Sequence, residues 1–117
     1  MLLNYYYRGC LAAANGNYGE ACERFTTVLS NQPGNQTAAN NKAVCMVYMC
    51  QLTKAVHLLE DFIAQDPASN LCESIVQNLT CLYDVQSSAC AEKKAHLMKL
   101  VAQYGSDSFD HTVLKRN

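Results

Sequence analysis

Two stretches, YGEACERFTTVLSNQP from Tyr18 to Pro33 and LTKAVHLLEDFIAQDP from Leu52 to Pro67, share one frame. A shift of 34 positions carries Tyr18 onto Leu52, Ala21 onto Ala55, Phe25 onto Leu59, Val28 onto Phe62 and Pro33 onto Pro67. Upstream, the same shift carries Gly9 onto Ala43. Apolar residues fall at helical spacing, as in Val56, Leu59 and Ile63, or Ala43, Met46, Val47 and Cys50. Helix breakers punctuate the chain at Asn15-Gly16-Asn17, Asn31-Gln32-Pro33-Gly34-Asn35, Asp66-Pro67, Gln86-Ser87-Ser88 and Gly105-Ser106-Asp107. No run of alternating β-branched residues marks a strand. The chain is expected to be all-α, with helices near 2–15, 18–31, 36–50, 53–65, 70–85 and 89–103.

Thirty-four residues is the period of a helix-turn-helix repeat. Tyr5, Gly9, Gly16, Tyr18, Ala21, Phe25 and Pro33 stand where the tetratricopeptide repeat family places its aromatic, glycine, turn, aromatic, alanine, aromatic and proline residues. The chain resembles that family, which implies an α-solenoid of antiparallel helix pairs. Gly9, Ala21, Ala43 and Ala55 are small so that paired helices approach closely, with Tyr18, Phe25, Leu52 and Leu59 filling the space beside them. Proline is expected to end each second helix. A third unit follows in degenerate form: Ala89 holds the small position, while Lys93 and Val101 replace the aromatic and the proline. Ile75, Val76, Leu79, Leu82 and Tyr83 keep an apolar face, and Glu92, Lys93, Lys94 and Lys99 suit the last helix to solvent, as a capping repeat requires. Residues 1–103 are expected to form the repeat domain and 104–117 a C-terminal tail.

Length and composition narrow the function. The 117 residues are one domain's worth, with 50% hydrophobic and 16% charged residues. Such a composition suggests that some apolar surface is hidden against something besides the chain itself. Nine Lys and Arg against ten Asp and Glu leave no basic run with which to neutralise phosphates, which argues against nucleic acid. Seven cysteines without a C-x-x-C pair read as reduced, mostly buried thiols of a cytosolic protein rather than a disulfide or zinc framework. The opening residues lack the plan of a signal peptide, and no window has the run of about 18 apolar residues that a membrane span needs. His57, His96 and His111 have no metalloprotease pattern around them, Glu60 and Asp61 are neighbours rather than an opposed dyad, and no phosphate-binding glycine loop occurs. Neither an enzyme nor a cofactor or metal site is expected.

The family resemblance implies a concave groove lined by first-helix residues: Tyr6, Cys10 and Ala13; Thr37, Asn40, Val44 and Val47; Leu71, Ser74, Asn78 and Cys81; with Tyr7, Asn41 and Ile75 at the edge. None of these is charged. Chaperone-binding relatives grip a C-terminal carboxylate with basic and asparagine side chains, and of that clamp only Asn41 is present, with Tyr6, Cys10, Leu71 and Ile75 in the other places. A carboxylate without a cationic partner is costly to bury, so carboxylate capture is expected to fail. Tyr5, Tyr6 and Tyr7 fan across about 200° of one helix, too wide for a single core-facing stripe. Tyr5 takes the core position, Tyr6 the groove and Tyr7 its rim. With Leu2 and Leu3, they leave the first helix without a polar outer face, so preceding repeats of a longer chain or a second copy, as a homodimer, are expected to cover it.

A closer resemblance rests on Asn40-Asn41-Lys42-Ala43-Val44-Cys45, Leu58-Leu59-Glu60, Gln65-Asp66-Pro67, Glu73-Ser74, Asn78-Leu79-Thr80, Tyr83, Ser87-Ser88, Lys93-Lys94 and Gly105 to Phe109. These segments resemble the C-terminal repeats of subunits of the trafficking protein particle (TRAPP) complexes that tether vesicles. The resemblance implies a non-catalytic scaffold in endoplasmic reticulum to Golgi transport, cytoplasmic and peripheral to those membranes. It also implies a C-terminal fragment whose partners are other subunits; on physical grounds, helix-in-groove or stack-on-stack recognition through Tyr6, Tyr7, Val44, Tyr48 and Asn78 is expected. The alternatives are a peptide-binding chaperone adaptor and a self-associating structural repeat domain.

Overall fold

Several of the helices start or stop at a local hydrogen-bonding device. The computed structural model describes residues 2–86 and 90–105, with side chains from residue 7 onward. Its helices are α1 (Leu2–Ala14), α2 (Tyr18–Asn31), α3 (Gln36–Tyr48), α4 (Leu52–Gln65), α5 (Pro67–Asn70), α6 (Glu73–Val85) and α7 (Cys90–Tyr104), and no strand occurs among the described residues.

The first and third helices end alike. After α1, Asn17 N–H donates to the Ala12 carbonyl at 2.7 Å and Gly16 N–H to that of Ala13 at 3.0 Å, with Gly16 at φ +80°. After α3, Gln51 N–H donates to Met46 at 2.8 Å and Cys50 N–H to Val47 at 2.9 Å, with Cys50 at φ 61°. Both are Schellman motifs, which satisfy the last carbonyls only if the residue past the cap turns left-handed. The positions are equivalent in the 34-residue frame, yet only the first is glycine. Asn35 opens α3, its side chain accepting from Ala38 N–H at 2.9 Å.

One expectation is corrected between α4 and α6. The single helix read over 70–85 is divided, and Pro67 does more than end the preceding helix. α4 stops at Gln65, the Asp66 carboxylate caps Ser69 N–H at 3.4 Å, and Pro67 takes the first position of the one-turn α5, where its missing N–H has no intrahelical partner to lose. The buried Asn70 side chain then donates to the Phe62 carbonyl at 2.8 Å, satisfying one of the last four acceptors of α4. Leu71 and Cys72 run extended before α6 starts.

The chain divides within α4 into two compact units, Met1–Leu59 and Glu60–Asn117. In the first unit, short connections, 15–17 and 32–35, turn α1, α2 and α3 back on one another, and Ala12, Ala21, Phe25, Val28, Ala38 and Cys45 form the core. Gly9 explains the closeness of α1 and α2: a β-carbon there would lie 2.8 Å from Phe25 Cε1. Between α2 and α3 the Cys22 thiol reaches the Lys42 carbonyl at 3.8 Å, and Ala38, Ala39 and Ala43 are all buried. Ala55 and Leu59 are buried too, while Tyr18 is half-buried.

In the second unit Phe62, Ile63, Ile75, Val76, Leu79, Leu97 and Val101 are buried. Thr80 is buried with them, and its hydroxyl has no hydrogen-bond partner. Two of the lysines assigned to solvent on α7 turn to α6 instead. Lys94 pairs with Asp84, holding that carboxyl below the usual aspartate range, and Lys93 Nζ donates to Gln86 Oε1 at 3.2 Å while standing 5.5 Å over the Tyr83 ring. Their long aliphatic stems allow a lysine to lie along a neighbour and still place its charge at the edge. Ala89, Ser87 and Ser88, and the tail from Ser106 with His111, lie outside the described residues.

Candidate interaction site

A cleft of about 360 Å³ opens in the first unit. Helix α1 supplies Cys10, Ala13 and Ala14, all within two turns of its glycine stop. Tyr18 and Phe25 come from α2, one at its start and one at its centre. From α3 come Asn41, Val44, Cys45 and Tyr48, at spacings of three and four that keep them on adjoining faces. Where α2 begins and α3 ends, the Tyr18 and Tyr48 rings stack with centroids 4.8 Å apart and planes 7° from parallel. Tyr48 is nevertheless 65% exposed, so this stack presents an aromatic face to solvent.

No charged side chain lines the cleft. The Cys45 thiol does not add one: burial, with the Cys22 and Cys10 sulfurs close by, pushes it up to about 11. Burial also raises Cys22, partly offset by Lys42. Protonated thiols are poor nucleophiles and poor metal ligands, and among the described residues no three His, Cys, Asp or Glu side chains are grouped to hold a metal. The cleft is suited to apolar and aromatic contact, with the Asn41 amide as its one polar side chain besides the thiols and the tyrosine hydroxyls.

Of the residues read as partner-binding, Cys10, Asn41, Val44 and Tyr48 come together here. Tyr7 is 62% exposed on α1 and Asn40 is half-buried on α3, and neither lines the cleft. Ser74 is exposed and Asn78 half-buried in the second unit, and the side chains of Tyr5 and Tyr6 lie outside the described residues. Leu71 and Ile75, read as groove and edge positions, are buried. The cysteines are not mostly buried as expected: only Cys45 is, while Cys50 and Cys81 are exposed. Sequence reasoning missed Cys45 and the pairing of Tyr18 with Tyr48. A reversal between α2 and α3 brings the start of one near the end of the other, but whether the two rings stack depends on how each helix is rotated about its axis.

Comparison with known proteins places these features. No family model matches the chain. The tetratricopeptide domain of Sgt2 from Aspergillus fumigatus superposes with a TM-score of 0.67 over 98% of this chain and 72% of that one, at 21% identity. The fold is therefore all-α and of the tetratricopeptide type, the class read from the 34-residue frame. The particular relatives are trafficking protein particle complex subunit 12 of Mus musculus, 39% identical over 108 residues and 92% of this chain, and that of Homo sapiens, 39% identical over 105 residues and 90% of this chain. The tethering-subunit resemblance read from the sequence is to subunit 12. The chain spans 14% of the length of either relative.

Proposed function

We propose that this chain is a non-catalytic protein-interaction scaffold of a trafficking protein particle complex, serving vesicle tethering between endoplasmic reticulum and Golgi from the cytoplasmic side. The observation that carries the proposal is the 39% identity to subunit 12 along nine-tenths of the chain. The uncharged cleft is its physical complement, since a stacked aromatic pair beside valine and alanine side chains favours an apolar helix or loop of another polypeptide. No helix among the described residues is long and apolar enough to cross a membrane, so attachment to membranes is assigned to the complex.

The face of α1 carrying Tyr7 and Leu11, one turn apart and 62% and 64% exposed, supports a second contact with preceding repeats of a longer chain or with another copy. A chaperone-adaptor role has less support, because no cation lines the cleft beside Asn41.

The test is affinity capture from cell lysate with the folded chain and with a Val44→Glu, Tyr48→Glu double variant, read by mass spectrometry. Tethering-complex subunits captured by the first and lost with the second are the expected result. Chaperones, or an identical set from both, contradict it.

A further inference from the structure

The second unit holds a cleft of about 440 Å³ with a different character. Leu79 of α6 and Leu97 of α7 form a floor that is almost entirely buried, and the half-buried Leu100 continues it towards solvent. On one margin α4 places two adjacent carboxylates, Glu60 and Asp61. The Tyr83 hydroxyl donates to Glu60 Oε2 at 2.5 Å, which fixes that carboxylate in orientation.

Among the described residues neither carboxylate is in an ion pair. Nearby cations are engaged elsewhere: Lys94 pairs with Asp84, and Lys93 is held by Gln86 and the Tyr83 ring. An apolar floor thus lies beside two carboxylates that have no ion-pair partner among the described residues, with Asp61 exposed and the exposed His96 imidazole of α7 also lining the cleft. A greasy ligand alone would leave those charges partly desolvated and unpaired, and an acidic ligand would add repulsion. A lysine or arginine next to branched aliphatic residues satisfies both parts, its charge meeting Glu60 and Asp61 while the neighbouring side chains cover Leu79, Leu97 and Leu100.

We infer that this cleft is a second docking surface, which takes a basic, aliphatic peptide segment of a partner protein. It is separate from the uncharged cleft of the first unit and does not depend on what that cleft binds.

Fluorescence anisotropy of the full chain with a labelled, end-blocked peptide Leu-Lys-Val-Leu-Arg-Leu tests the assignment, with Leu-Glu-Val-Leu-Glu-Leu as the counterpart. The basic peptide is expected to bind at least about tenfold more tightly at low salt, with the difference shrinking as salt is added. Asp61→Lys, at an exposed site where the fold tolerates it, is expected to weaken the basic peptide about tenfold and to improve the acidic one. Val44→Glu is expected to change neither affinity. Equal affinity for both peptides, or indifference to Asp61→Lys, overturns the inference. Binding that emerges only when residues 106–117 are deleted assigns the cleft to the chain's own Val113, Leu114, Lys115 and Arg116, and overturns the partner assignment. Concentration-dependent self-association abolished by Asp61→Lys assigns it to a second copy, with the same consequence.

Discussion

Cys50 occupies the left-handed position of a Schellman motif at φ 61°, where its frame-mate Gly16 sits at φ +80°. For an L-residue with a β-carbon that conformation costs roughly 1–2 kcal/mol, part of which a glycine returns through its looser unfolded state. Cys50→Gly is expected to stabilise the fold by about 1 kcal/mol, seen as a higher urea midpoint with an unchanged slope. A lower midpoint would mean that the exposed thiol makes a contact of its own. Thr80 is the opposite case, a favourable conformation with an unfavourable group. Its buried hydroxyl lacks a partner, which costs about 1–3 kcal/mol, and Thr80→Val keeps the shape while removing the hydroxyl. That variant is expected to melt higher, by scanning calorimetry, than the parent.

Pairing of elements depends on what is missing as much as on what is present. Gly9 lets α1 settle on the Phe25 ring, and because Phe25 is itself buried the ring has nowhere to swing. Gly9→Ala raises helix propensity by about 1 kcal/mol but inserts a methyl 2.8 Å from the ring. Overpacking of this kind costs roughly 1–3 kcal/mol, so a net fall in melting temperature is expected; a rise would show that the two helices separate at little cost. Between α4 and α6 the Tyr83 to Glu60 hydrogen bond has a pH signature. Burial first, and then Glu60, hold the phenol above its ordinary value of 10.0, so the folded chain keeps a proton that the unfolded chain releases. The stability this contributes is fully present below pH 10 and is lost as pH rises from there towards the folded value. Tyr83→Phe should flatten that alkaline decline in thermal melting curves; a decline of unchanged steepness would assign it to other groups.

At the scale of the molecule, the two compact units offer surfaces of unlike chemistry, one uncharged and aromatic, the other apolar with an acidic margin. Because Val44 and Tyr48 are exposed, replacing both with glutamate removes apolar surface from solvent contact rather than from the core. The double variant is therefore expected to keep its fold, giving up only the roughly 0.5–1.5 kcal/mol of the Tyr18 stack, while losing its captured partner. Loss of folding, checked by circular dichroism, would show that the Tyr18 and Tyr48 stack is structural first.

Helix positions and the repeat frame were legible in the residues alone, since both depend on local chemistry: apolar spacing near 3.6, breakers such as Asn15-Gly16-Asn17, and small residues recurring every 34 positions. Even the short α5 left a trace, because Asp66-Pro67 is a helix start as well as a stop. What the chain alone did not disclose is which side chains meet. The Tyr18 and Tyr48 stack, Asn70 on the Phe62 carbonyl, and Glu60 bonded to Tyr83 beside the buried leucines each join residues 8 to 30 positions apart. Such meetings are set by how far each helix is rotated about its axis and which rotamers its neighbours leave open, quantities that appear only once the helices have packed.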